Sequence, residues 1–150
     1  MEFEDDDDYT GPPVDDDAIR RAEQELGVVL PVRYVEILRD RNGGIPTARR
    51  WMTGFPTSWA DDHFEIRALL GVGGETGIDS PEQGSRMMIA EWGYPDIGVV
   101  ICDMPSGGHD AVLLDYRESD TDPAVAYVDE DRVPRVIASD FAAFEAGLVE

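Results

Sequence analysis

Two histidines, His63 and His109, are the side chains best suited to proton transfer near neutral pH, and each adjoins an acid, as Asp62-His63 and His109-Asp110. They stand 46 residues apart, with no HxxxH spacing and no cysteine pair. A zinc centre would have to be assembled from distant segments, and no metal site is expected. Calcium fares no better, because a loop counted from Asp5 has Thr10 at its sixth position and Asp16 at its twelfth, where glycine and glutamate are needed. Ser106 lies near His109 but outside a GxSxG turn. Asp103, Asp110 and Asp115 could pair as acid and base, and the plainer reading is that they solvate loops and strand ends. The single cysteine, Cys102, sits in the apolar run Ile97 to Cys102 and reads as an inert core thiol. Gly71-Val72-Gly73-Gly74-Glu75-Thr76-Gly77 misplaces the third glycine of a phosphate loop, so it reads as a plain loop.

Aromatic residues carry more information. Trp51, Phe55 and Trp59 fall in an irregular stretch among Arg49, Arg50, Asp61 and Asp62. Aromatics on loops are either lids over a core or anchors for a partner, and the sequence leaves both open. Trp92 ends an apolar helical segment and reads as a core anchor.

The charge narrows the functions further. The 150 residues include 33 acids and 12 arginines, with no lysine and a net charge of −21. Such a chain has no electrostatic means of gripping a phosphate backbone or an anionic membrane. Lacking lysine, it has no Walker-type loop and no Schiff-base lysine. The N-terminus has neither the basic residues nor the apolar stretch of a secretory signal, and no apolar run approaches the ~20 residues that span a bilayer. A soluble, cytoplasmic protein is expected. Residues 1–17 hold nine acids and no base, leaving 24 acids and 12 arginines elsewhere. Like charges in a block repel, so residues 1–13 are expected to be a poorly ordered acidic tail, and residues 14–150 one domain.

The elements that must position these residues follow from local signals. Asp15 to Asp17 cap a first helix with Ile19, Ala22 and Leu26 on one face, stopped by Gly27. A second helix opens with Pro31 at its first position, turns Tyr34, Ile37, Leu38 and Arg41 inward, and ends at Asn42-Gly43-Gly44. Residues 45–63 read as a long loop with a short strand near Trp51. Phe64, Ile66 and Ala68 alternate as a strand, 71–84 form a loop, and Ser85 to Trp92 a helix. Ile97 to Cys102, apolar throughout, reads as a central strand. Ala111 to Tyr116 returns after the Pro105–Gly108 turn, Ala124 to Val128 follows, and Val136-Ile137 forms an edge. A last helix capped at Ser139 or Asp140 places Phe141, Phe144 and Leu148 together. This order predicts an α+β fold with a mostly antiparallel sheet of about four to six strands packed against helices.

The ordered set of segments resembles the SUKH superfamily, which includes the Smi/Knr-type regulators and many bacterial immunity proteins. Leu30-Pro31-Val32-Arg33-Tyr34 with Leu38 and Asn42-Gly43-Gly44 resembles its opening signature. Glu91-Trp92-Gly93-Tyr94-Pro95, Gly107-Gly108-His109-Asp110, Leu113 to Arg117, Pro123 to Asp129 and Ile137 to Phe144 resemble later pieces in order. The likeness covers roughly residues 15–148, and it leaves out the acidic tail and the Trp51–His63 loop. It implies a sheet cupped against helices and a protein that neutralises a toxin of its own cell by binding, with no catalytic residues or cofactor to carry over. An acidic protein suits a nuclease or deaminase with a basic groove. The candidate partner-binding residues are Trp51, Trp59, Asp61, Asp62, Tyr94, Asp96, Asp103, His109 and Asp110. The alternatives are a regulatory or scaffold module with no toxin partner, and an enzyme using His109 with Asp103 or Asp110.

Overall fold

The computed structural model describes residues 1–5 and 7–150. Helix α1 (Asp16–Leu26) begins where the Asp15 carboxylate accepts the Ala18 amide at 2.8 Å, and Asp16 and Asp17 follow in the first turn. It ends at Gly27, whose φ of 69° only glycine adopts without cost. Ile19 and Ala22 face inward. Helix α2 (Val32–Asp40) buries Tyr34, Ile37 and Leu38. Pro31 is its capping residue rather than its first helical one, and Arg41 already has extended backbone, so the expected inward Arg41 lies outside the helix.

Strand β1 (Arg50–Met52) pairs with β2 (His63–Glu65), and β3 (Ala68–Leu69) follows after a break. Helix α3 (Ser85–Trp92) precedes β4 (Gly98–Val100) and β5 (Cys102–Asp103). Then come β6 (Ala111–Asp115), β7 (Ala124–Val128), β8 (Pro134–Ala138), helix α4 (Phe141–Gly147) and β9 (Leu148–Val149). Among the described residues these strands form three antiparallel sheets, ordered β2-β1-β9, β3-β5 and β4-β6-β7-β8. The α+β reading with antiparallel pairing therefore holds.

Three local expectations are corrected. The apolar run at 97–102 is central only at its far end, where the Ile101 carbonyl accepts the Leu70 amide on one side and the Ile101 amide donates to the Val112 carbonyl on the other; β4 itself is the edge of the four-stranded sheet, with β6 and β7 inside. It is apolar because α3 covers that edge: the Ser85 hydroxyl accepts the Val100 amide at 2.8 Å where a neighbouring strand would have accepted it. Gly98 permits the close pairing, since a Cβ there would lie 1.8 Å from the Leu114 carbonyl oxygen. Leu148 is not helical; it pairs with Trp51 in β9. The single strand expected over Phe64 to Ala68 is divided between two sheets, although Phe64, Ile66 and Ala68 are all buried as their alternation required.

The core joins the sheets to the helices. Phe64 stacks on Tyr127 with ring centroids 4.3 Å apart, and Trp51 stacks between Phe64 and Phe144 at 6.1 and 6.4 Å. Tyr34 meets Phe141 at 5.2 Å and donates its hydroxyl to the Leu70 carbonyl at 2.6 Å. Asn42 holds the exit from α2: its amide nitrogen donates to the Pro12 and Val72 carbonyls, and its oxygen accepts the Val72 amide.

The N-terminal segment differs from the expected extended tail. The Glu4 amide donates to the Ile45 carbonyl, the Thr47 amide to the Glu2 carbonyl, and the Gly11 amide to the Asn42 carbonyl. The Asp7 side chain, 1% exposed, pairs with Arg41 at 2.8 Å and accepts the Tyr9, Thr10 and Ile45 amides. Burial opposes its charge, but those amides and Arg41 hold its carboxyl below the usual range. Charge counting treats all aspartates alike; Asp7 instead caps a turn and meets a cation. The part of the tail expectation that concerns Asp6 lies outside the described residues. No helix among them is long and apolar enough to cross a membrane.

Candidate functional site

The loop between β1 and β2 carries Trp59 outward. Its turn is built on Thr57, whose hydroxyl oxygen accepts the Trp59 and Ala60 amides at 3.1 and 3.0 Å and donates to the His63 carbonyl at 2.8 Å. Ser58 ties the turn to the end of β7, its amide and hydroxyl donating to the two Asp129 oxygens at 2.8 and 2.7 Å. Burial opposes the Asp129 charge, yet these bonds keep its carboxyl below the usual range. Trp59, thus fixed at its base, remains 46% exposed.

A cleft of about 360 Å³ lies beside it, lined by Ser58, Trp59, Ser106, His109, Asp129 and Glu130 among others. Asp110 forms part of its lining and is nonetheless buried. Its two oxygens accept the Ser106 hydroxyl at 2.5 Å and the Tyr127 hydroxyl at 2.7 Å. Burial raises its carboxyl above the usual range, against those hydrogen bonds. Tyr94 supports the same turn from inside, donating its hydroxyl to the Gly108 and Asp110 carbonyls at 2.7 and 2.9 Å. Burial pushes its hydroxyl up to about 12.

Arg132 clamps the outer side. Its guanidinium donates to the carbonyls of Trp92 at 3.1 Å, His109 at 2.8 Å, Asp129 at 3.2 Å and Gly108 at 3.0 Å, and it lies over the Tyr94 ring at 4.5 Å. It does so from a left-handed backbone, φ 59°.

The structure brings together Trp59, His109 and Asp110 from the sequence candidates, with exposed Asp61 and Asp62 on the same loop as Trp59. It separates the others. Trp51 is half-buried between Phe64 and Phe144, with its indole nitrogen donating to the Phe144 carbonyl at 3.3 Å, so it takes the core side of the choice left open for it. Tyr94 lies beneath the turn, and Asp96 lines a different groove with Leu26 and Arg86. Asp103 faces a further groove, where it accepts the Tyr9 hydroxyl. His109 and Asp103 therefore do not share a cleft, and the Asp110 carboxylate is engaged by Ser106 and Tyr127. Trp92 departs from the core-anchor expectation: it is 38% exposed, edge-on to Tyr94 and against Gly108. Gly93 ends α3 directly after it, so the ring is left at the helix tip. Sequence reasoning missed Ser58, Asp129, Glu130 and Arg132, because what gathers them is tertiary contact; no local spacing marks it.

His63 pairs with the neighbouring Asp62 at 2.9 Å, away from any second histidine. Burial pushes the Cys102 thiol far up, which keeps it protonated and inert. Among the described residues no three His, Cys, Asp or Glu side chains converge in a metal-holding group.

Comparison with known proteins gives no match among curated proteins and none among solved structures. A family model, that of the SMI1 / KNR4 family (SUKH-1), matches residues 13–147. That span takes in α1 through α4 and every residue of the Trp59 cleft, and the chain belongs to the SMI1 / KNR4 family (SUKH-1).

Proposed function

We propose that this protein is an immunity protein, acting in the cytoplasm, that neutralises a cognate toxin by direct binding through an acidic surface. The observation that carries the reading is Trp59: a tryptophan nearly half exposed, held rigidly at its base and bordered by Asp61, Asp62, Asp129, Glu130 and a 360 Å³ cleft. A buried aromatic anchor inside a polar rim is the usual centre of a binding surface. The acidic rim selects a basic partner, such as the substrate groove of a nuclease or deaminase, and accelerates encounter with it. Function here is occlusion: the partner's groove is filled by protein in place of substrate. Family membership supports the immunity role, and the acid-lined aromatic site supports binding over catalysis.

The test uses the purified product of a toxin-like gene adjacent to this one. Tight complex formation is expected, with an association rate that falls steeply as salt rises. Trp59→Ala is expected to weaken the complex by about 2 kcal/mol or more, mainly through faster dissociation. A complex indifferent to Trp59→Ala moves the interface elsewhere, and a toxin that stays active in excess of this protein removes the immunity reading.

A further inference from the structure

Between the N-terminal segment and α3 lies a second groove, of about 400 Å³. Its walls are apolar: Leu70 and Met88 are buried, Met87 is half-buried against the core, and Trp92 stands at the surface. Its other side is acidic, with Asp8 and Asp103. Among the described residues, Asp103 uses one carboxylate oxygen for the Tyr9 hydroxyl, and no hydrogen bond reaches its other oxygen. The groove also adjoins the C-terminal end of α3, where the helix dipole is negative. Arg67 stands near the Tyr9 hydroxyl but does not line the groove, and Arg132 is already engaged by four carbonyls.

We propose that this groove is a docking subsite for an arginine or lysine side chain of a protein partner. The chemistry is matched at both ends of such a side chain. Its methylene stem would lie along the methionines, which adapt to irregular shapes. Its charge would meet Asp103 and Asp8 and the electron-rich Trp92 ring. Arginine suits it better than lysine, because a planar fork can pair with a carboxylate and stack on the indole together. An anionic ligand is repelled by the rim, and a purely apolar one would strand two carboxylates against it. The subsite selects a side chain and is independent of the toxin-binding reading, since it shares neither Trp59 nor the 360 Å³ cleft.

The test titrates the full chain with N-acetyl-argininamide and follows the tryptophan indole N–H signals by NMR. The Trp92 signal is expected to move saturably while the Trp51 signal, inside the core stack, stays fixed. The uncharged isostere N-acetyl-citrullinamide should leave Trp92 unmoved. Asp103→Asn is expected to weaken binding by about threefold, and Asp8→Asn, at an exposed position that tolerates change, should act in the same direction. Exchange of both Asp61 and Asp62 for asparagine should leave it within about twofold. Equal response to citrulline, a common unsaturable drift of all the indoles, no response at all, or indifference to both the Asp103 and Asp8 variants would each overturn the subsite. None of these outcomes depends on whether a toxin partner exists.

Discussion

The Tyr127 hydroxyl donates to the Asp110 carboxylate at 2.7 Å, and both residues are buried. The bond joins the last part of β7 to the turn that borders the Trp59 cleft. It also places an acid where burial disfavours its charge. Asp129 nearby adds to that penalty and His109 opposes it.

The sign of the resulting pH dependence is fixed by linkage. The folded-state value of Asp110 lies above its unfolded value, so below it the folded state binds the extra proton. The Asp110 contribution therefore favours the fold at acid pH and is lost as pH rises through the raised value. Asp110→Asn keeps an acceptor for Tyr127 and gives Ser106 a donor in place of an acceptor. Its stability relative to the native chain is expected to increase from about pH 4 to about pH 7. Asp110→Ala deprives the buried Tyr127 hydroxyl of its carboxylate acceptor and is expected to cost about 1–3 kcal/mol. Urea unfolding across that pH range measures both, and a native-minus-asparagine difference that is flat with pH contradicts the account.

Arg132 makes a second, separable prediction. Four carbonyls from three parts of the chain converge on one guanidinium, so Arg132→Ala is expected to cost about 2 kcal/mol and to speed amide exchange around the 105–110 turn ahead of β6 and β7. Arg132→Lys should recover only part, because an ammonium cannot fork to several carbonyls. The left-handed backbone adds an ordering: Arg132→Gly should be less destabilised than Arg132→Ala, by up to about 1 kcal/mol. Thermal or denaturant unfolding of the three variants supplies the order, and Ala at or above Gly would show that the backbone is not strained there.

The fold was legible where its cause is local. Asp15 and Asp140 cap α1 and α4 with their own side chains, and Gly27 and Gly93 stop α1 and α3, all from signals a few residues wide. It was illegible where the cause is distant. Leu148 follows Phe144 at helical spacing, but Gly147 lies against the Trp51 indole, where a Cβ would meet the ring nitrogen at 2.8 Å, and the chain turns to pair with β1. Ile97 to Cys102 reads as central because an apolar run does not reveal whether a strand or a helix covers its edge. The candidate site divides the same way. Trp59 with Asp61 and Asp62 was visible as an aromatic among acids on a loop. Asp129 was not, because Ser58 reaches it across 71 residues, and Arg132 was not, because a φ above zero leaves no trace in an arginine.

The pair of Arg33 and Glu145 joins α2 to α4 and titrates in the opposite sense to Asp110. The guanidinium donates to both carboxylate oxygens, at 2.6 and 2.7 Å. Hydrogen bonding to Arg33 holds the Glu145 carboxyl below its usual value of 4.5, against the effect of burial. A depressed folded-state value contributes stability that is complete above the unfolded value and is lost as pH falls through the folded one. Arg33 is more than a third exposed, so water weakens the pair, and Glu145→Gln is expected to cost only about 1 kcal/mol at neutral pH. That cost should be constant above about pH 6 and should shrink toward about pH 3, as the native carboxylate takes up its proton. Arg33→Gln should show a shallower version of the same profile, because the Met1 ammonium still lies 3.1 Å from the Glu145 carboxylate, and the double variant should cost little more than Glu145→Gln alone. Denaturant unfolding at several pH values tests this. A Glu145→Gln cost that persists unchanged in acid would assign the effect to packing and deny the ion pair its role in holding α4 on α2.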